Sequence, residues 1–273
     1  MKAKRAEGER SIGRMLLADM KRAFSGWPVW GGALILFGAL VLPVVADIFT
    51  GSNPASMNAI DRFALGLVAT GAYFVAPVLC CLPMGISFCD DYITGFGRMI
   101  MQRAGIYRYL VSRILSAAFS GGFTMFLGMV LFMGFCLLVF TNSNDPNLEG
   151  TLEWYRSSGA YSWLPDGYAA GYWLMVAYGL QFFLWGAVWA VAGLVISALV
   201  VNRYASMALP YIFANALWFL FGRLSLYHFA PFSYLNPVSL FSSYWEVPMG
   251  LCIQMILFSS LFLWLGRRRL LYA

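Results

Sequence analysis

Uncharged runs long enough to cross a membrane recur along this chain. Between successive Asp, Glu, Lys and Arg residues, seven such stretches occur: 29–46, 63–89, 114–144, 167–202, 204–222, 224–245 and 247–266. An α-helix needs about 20 mostly apolar residues to cross a hydrocarbon core about 30 Å thick. Soluble domains run at about 25% charged and 45–50% apolar residues, whereas this chain of 273 residues is 11% charged and 61% apolar. Water has too few charges to meet here. A soluble enzyme, a disordered tail and a nucleic-acid-binding domain all fit poorly, and no nucleic-acid partner is expected. The chain reads as an integral membrane protein.

Six of the seven stretches read as helices. The stretch 224–245 holds His228, Pro231, Ser233, Asn236, Pro237, Ser239, Ser242 and Ser243. Two prolines among so many polar groups would leave backbone hydrogen bonds unmet in lipid, so it is expected as a loop or a re-entrant hairpin packed against protein. The fold class is all-α membrane protein, one transmembrane domain over 1–273. Its six spans are expected at about 28–48, 63–88, 110–140, 169–200, 204–224 and 247–267.

Charge placement orients these spans. With the N-terminus inside, the inner segments hold Lys2, Lys4, Arg5, Arg10, Arg14, Lys21, Arg22, Arg98, Arg103, Arg108, Arg113, Arg203, Arg267, Arg268 and Arg269. Those fifteen bases face five acids, a balance of +10. Outside, Arg62, Arg156 and Arg223 face seven acids, a balance of −4, so the net +6 of the chain hides two opposed faces. Seven spans would move the C-terminal arginines outside. Both termini are therefore expected in the cytoplasm, with the chain a multi-pass protein of the cell membrane.

Before the first span, Ile12, Met15, Leu16, Met20, Ala23 and Phe24 recur at helical spacing opposite Arg14, Asp19, Lys21 and Arg22. This predicts a basic amphipathic helix over about 9–26, lying in the inner interface. Trp27 and Trp30 follow at headgroup depth. Val44, Val45 and Ala46 would pass as a signal-peptide cleavage site, but the long charged helix ahead of them favours an uncleaved anchor. The five cysteines, Cys80, Cys81, Cys89, Cys136 and Cys252, lie in or at the ends of spans. Odd in number and without ligand spacing, they read as small buried hydrophobes.

Several chemistries lack their residues. A phosphate-binding loop needs a Gly-rich turn ending in Gly-Lys-Ser/Thr, and the only lysines are Lys2, Lys4 and Lys21. Gly95 and Gly97 lack the third glycine of a dinucleotide fingerprint, Ile100 standing in its place. His228 is alone. Asp90 and Asp91 would suit a metal–diphosphate site of a lipid-modifying membrane enzyme, yet no second acidic cluster follows. The bland reading is that one of them caps a helix starting at Tyr92. An ion-coupled carrier usually places ionisable groups in mid-span, and none is found there. Pro77, Pro83 and Pro210 are placed to bend their helices, and Gly66 with Thr70, Gly186 with Ala190 and Gly193 with Ser197 are spaced for close helix contact.

The loop after the second span is the most informative segment. It runs Cys89, Asp90, Asp91, Tyr92, Ile93, Thr94, Gly95, Phe96, Gly97, Arg98, then Met99, Ile100, Met101, Gln102, Arg103, Ala104, Gly105, Ile106, Tyr107, Arg108. An acid and a glycine precede a short basic-apolar helix over about 91–104, and a small-residue break leads to an aromatic-basic pair. This order resembles the coupling helix of the type-2 permease subunits of ATP-binding-cassette exporters. Phe96 stands where that family has Thr, and Ala104 with Gly105 replaces its proline turn. The run Pro231, Phe232, Ser233, Tyr234, Leu235, Asn236, Pro237 is similar to the family's re-entrant outer segment before the last helix.

The resemblance implies a transmembrane subunit without an ATP site of its own. It binds no cofactor, and ATP with Mg is held by a separate ATPase subunit present in two copies. A second permease, identical or homologous, completes the membrane part, with lipid around it. Asp91, Gly95, Arg98, Gln102, Arg103, Tyr107 and Arg108 are then expected to contact the ATPase. The cargo is expected to be apolar or amphipathic, such as a drug or an antimicrobial peptide. On the outer side, Arg223 is expected to pair with Glu246 or Asp47 as a gate, alongside Asn236 and Pro237. On charge alone, the basic loop reads first as an ordinary topology signal, the commoner use of such loops.

Overall fold

The computed structural model describes residues 2–50, 58–140, 147–157, 161–165, 169–200, 202–235, 241 and 243–272. Every regular element among them is helical. α1 (Lys2–Ser25) and α2 (Trp27–Phe49) are separated only by Gly26, whose extended backbone starts the new helix. Pro28 sits in the first turn, where its missing N–H would have had no partner. α3 (Ala59–Ala69) starts at Asn58, whose side-chain oxygen accepts from the Ile60 and Asp61 amides at 2.9 Å each. That removes two of the four orphan donors of a helix start.

The second span departs from the expected single helix over 63–88. α3 and α4 (Ala72–Cys81) meet at 85°. Thr70 leaves helical geometry (φ −79°, ψ 139°), and its hydroxyl donates to the Ala39 carbonyl of α2 at 2.9 Å. The Tyr73 hydroxyl donates back to the Leu67 carbonyl across the break. After α4 the chain turns through residues 82–86 at Pro83 and resumes as α5 (Ser87–Ile93). Apolar composition gave no warning of this break, because Thr70 and Gly71 cost little hydropathy.

α6 (Phe96–Ala104), α7 (Ile106–Val139), α8 (Asn147–Ser157), α9 (Ala169–Leu199), α10 (Arg203–Arg223) and α11 (Glu246–Tyr272) complete the order. Five helices are long and apolar enough to cross a membrane, and six if the bent α3–α4 pair counts as one span. This fits a multi-pass membrane protein. Between α10 and α11, the described residues form short 3-10 turns at Tyr227–Phe229 and Pro231–Tyr234 in place of a seventh membrane helix.

α9 is the axis of the bundle. Its most apolar window is 83% buried, against 17% for α10 and 22% for α11, whose apolar faces are left for lipid or another chain. α7 and α9 approach so closely that a methyl at Gly121 would stand 3.1 Å from the Gly186 carbonyl, and one at Gly186 2.9 Å from the Gly121 carbonyl. Small residues let the backbones meet there, as packing between membrane helices requires. Cys80, Cys81, Cys89 and Cys136 are buried free thiols, and Cys252 faces outward.

One end of the bundle carries α1, α5, α6, the start of α7 and the end of α11, and is rich in arginine. The opposite end carries Asp47, Asp61, α8 and the turns before α11. They are called the basic and the acidic end below.

Candidate functional site

At the basic end, α6 is set between two glycines. Gly95 has φ +71° and Gly105 φ +86°, a left-handed region that other residues enter only with strain. Neither glycine has a neighbour where a methyl would sit, so backbone conformation alone requires them. The first ends α5, its amide donating to the Tyr92 carbonyl at 3.2 Å; the second is the residue from which α7 begins. α6 packs on α5 and α7, while Phe96, Met99 and Gln102 are exposed. Ile93 and Tyr107 flank them and are more than half exposed.

Beneath this helix lies a cluster of charges, buried apart from the half-exposed Arg22. Asp91 is 2% exposed and accepts from three donors: Arg22 Nη1 at 2.9 Å, the Tyr109 hydroxyl at 2.8 Å, and Arg113 Nη2. Arg113, 1% exposed, also meets Asp19 of α1 at 3.2 Å, and the Ser112 hydroxyl donates to Asp19 at 2.8 Å. Two arginines thus balance two aspartates. A buried carboxylate or guanidinium is tolerated only when paired and hydrogen-bonded in this way. The cluster joins α1, α5 and α7 at one point. Displacing α5 without moving α1 and α7 would break charge-assisted bonds in a low dielectric.

The residues singled out from sequence divide between surface and interior. Gln102 and Arg108 are exposed on and just after α6. Tyr107 accepts from Arg267 Nη1 of α11 at 2.8 Å, with the guanidinium 5.6 Å from its ring centre. Arg98 and Arg103 lie on α6 by backbone, and their side chains are outside what is described. Asp91 differs from expectation. It neither caps a helix starting at Tyr92 nor faces a partner, because α5 already runs from Ser87 and the side chain is turned inward against Arg113. Asp19, expected on the polar outer face of α1, is likewise buried. Asp19, Tyr109, Ser112 and Arg113 were missed as a group. The available signal was an acid on an otherwise basic helix and an arginine seven residues into a long apolar run.

Asp90 and Asp91 do not converge. Asp90 faces Arg203 of α10 at 3.7 Å while Asp91 faces Arg113. Among the described residues, no three His, Cys, Asp or Glu side chains gather as metal ligands.

At the acidic end, Asp47 pairs with Arg62, which is fully buried and lies 5.5 Å from the Phe140 ring centre. Of the two acids expected to face Arg223, Asp47 is thus bonded to a base fifteen residues away. Arg223 is exposed at the end of α10, and Glu246 opens α11. Asn236 and Pro237 lie outside the described residues. The Thr151 hydroxyl of α8 donates to Asp61 at 2.6 Å. Tyr155 and Tyr161 are buried edge-to-face at 5.7 Å, and burial pushes both phenols above their ordinary ionisation range. The Tyr161 hydroxyl donates to Gln181 Oε1 at 3.1 Å, and Gln181 donates to the Tyr234 carbonyl. Trp185 Nε1 donates to the Pro231 carbonyl at 2.9 Å. The 161–165 turn and the 231–235 turns are thereby tied to α9 and close that end.

No family model, curated protein or solved structure matches the chain.

Proposed function

We propose that the chain is the permease subunit of an ATP-driven exporter, working with two copies of a separate ATP-binding-cassette ATPase and a second permease of the same or a homologous kind. The observation that carries this reading is the α6 lever. A short helix, set between two left-handed glycines, offers an exposed face to a partner and packs on α5 and α7, and α5 is in turn bonded through Asp91 to α1 and α7. A push on α6 is then delivered to α7, a helix of 34 residues, about 51 Å at 1.5 Å per residue, that reaches across the bundle. In this reading the basic end is cytoplasmic, ATP and Mg stay on the partner, and the cargo is apolar or amphipathic, such as a drug or an antimicrobial peptide.

The competing reading of Asp90 and Asp91 as metal ligands of a lipid-modifying enzyme has less support. Asp91 already accepts from three donors, and Asp90 is directed to a different helix. The test is purification of the tagged full chain from its own membrane in mild detergent. The expected result is a complex that hydrolyses ATP, with hydrolysis lost or uncoupled from transport on Arg108→Glu or Gly105→Ala. A chain that is active with no ATP-hydrolysing companion would refute the proposal.

A further inference from the structure

The acidic end holds a cleft that the lever does not use. The turn at 161–165 and the approach to α11 come together so that Ser162, Trp163, Ser243, Tyr244 and Trp245 line an open cavity of about 430 Å³. The Trp163 and Tyr244 rings stand 5.3 Å apart at 62°, and the Tyr244 and Trp245 rings 5.9 Å apart at 69°. Three rings at steep angles to one another form walls, unlike the belt residues of a membrane interface, which point singly into lipid. Trp163 is 41% exposed and Trp245 74% exposed, so indole surface is open to a ligand.

The walls are held in place from behind. Arg156 donates to the Pro165 carbonyl at 2.6 Å, and the Leu164 amide to the Tyr161 carbonyl at 3.0 Å. Tyr161 is bonded to Gln181 of α9, and the Glu246 amide donates to the Ser243 carbonyl at 3.2 Å. Such backing spares a ligand the cost of ordering its own site.

Ring faces carry negative quadrupole charge, and an organic cation within about 6 Å of a ring centre is attracted to it. Among the described residues, no lysine or arginine lines the cleft. The sequence around it is acidic: Asp145, Glu149, Glu153 and Asp166 flank the turn with Arg156 the only base, and Glu246 follows Trp245. The two serines add hydroxyls for the ligand's polar neighbours. A volume of this size lies in the range of about 300–1,000 Å³ usual for small-molecule sites.

The geometry points to this cleft as a binding site for the head of a quaternary-ammonium type organic cation, with Trp163, Tyr244 and Trp245 as its aromatic walls. The site stands apart from the α6 lever and does not depend on an ATPase partner. The same head chemistry occurs in a choline lipid and in a free cationic amphiphile, and the experiment separates the two.

The full chain is placed in nanodiscs of choline-free anionic lipid and titrated calorimetrically with hexyltrimethylammonium, then with its uncharged carbon isostere. Saturable binding of the cation is expected, with the isostere about tenfold weaker, the size of a partly desolvated cation–π contact. Trp163→Leu and Trp245→Leu should each weaken the cation about tenfold, and Trp245→Phe should keep most of its affinity. Repeating the titration in phosphatidylcholine nanodiscs assigns the source. Loss of apparent affinity by competition marks a lipid headgroup site, and unchanged affinity marks a site for free amphiphiles. Equal binding of the isostere, or wild-type affinity in a folded Trp163→Leu chain, overturns the proposal. The isostere comparison uses unaltered protein, so it decides the matter even if a variant does not fold.

Discussion

Arg113 is the residue on which most of the basic end depends. It is 1% exposed and faces Asp19 and Asp91, carboxylates contributed by two other helices. Removing one member of a buried ion pair leaves a stranded charge, at a cost of roughly 3–5 kcal/mol. Arg113→Ala is therefore expected to lower the melting temperature in detergent sharply and to release α1, read as faster proteolysis near Arg14 and Leu17. Asp91→Asn keeps the shape but discards the charge, and should also destabilise. In a double-mutant cycle the two should be far from additive, because they share one interaction. The charges themselves were legible in the sequence, but their burial was not. Asp91 reads as a helix cap or a partner contact as long as nothing shows that Arg113, 22 residues on, folds back upon it.

At the scale of elements, α6 depends on its two glycines. A side chain at a left-handed position costs roughly 1–2 kcal/mol. Gly105→Ala, with open space around the missing methyl, is expected to change the direction of α6 and not the packing of the bundle. The expected readout is a small loss of thermal stability together with a large loss of transport. The acidic end offers a separate test. Burial raises the Tyr155 and Tyr161 phenols, so each favours the closed end fully below about pH 10 and loses that contribution as pH climbs past it. Alkaline titration should show late-ionising tyrosines, Tyr155 and Tyr161 among them, and Tyr155→Phe with Tyr161→Phe should remove the part of the absorbance change that coincides with exposure of α8 to protease. Of the elements, the long apolar helices, the helix before the first of them and the non-helical 231–235 segment were readable from charge spacing and prolines. The break at Thr70 was not. Hydropathy sees composition, whereas the bend rests on a threonine hydroxyl reaching Ala39 of another helix.

For the molecule as a whole, the placement of charge is what composition concealed. Fifteen bases and five acids fall on segments assigned to one side, and seven acids with three bases to the other. Cysteine labelling should find positions in α6 and at the C-terminal arginines accessible from the cytoplasm and positions in α8 accessible from outside; the opposite pattern would invert the orientation. The acidic end, closed by Tyr161, Gln181 and Trp185, bears the aromatic cleft proposed for an organic cation. Under the proposed function, the basic end, with α6 and the ion cluster, is where a partner ATPase would deliver energy. Met99 of α6 is 57% exposed and outside the ion cluster, which makes it a reporter that leaves the lever intact. A photo-crosslinking side chain in place of Met99, illuminated in native membranes, tests the central claim most directly. The account predicts a single protein adduct to a subunit carrying a phosphate-binding loop, strengthened or weakened by ATP. Crosslinking to lipid alone, or to this chain alone, would contradict it.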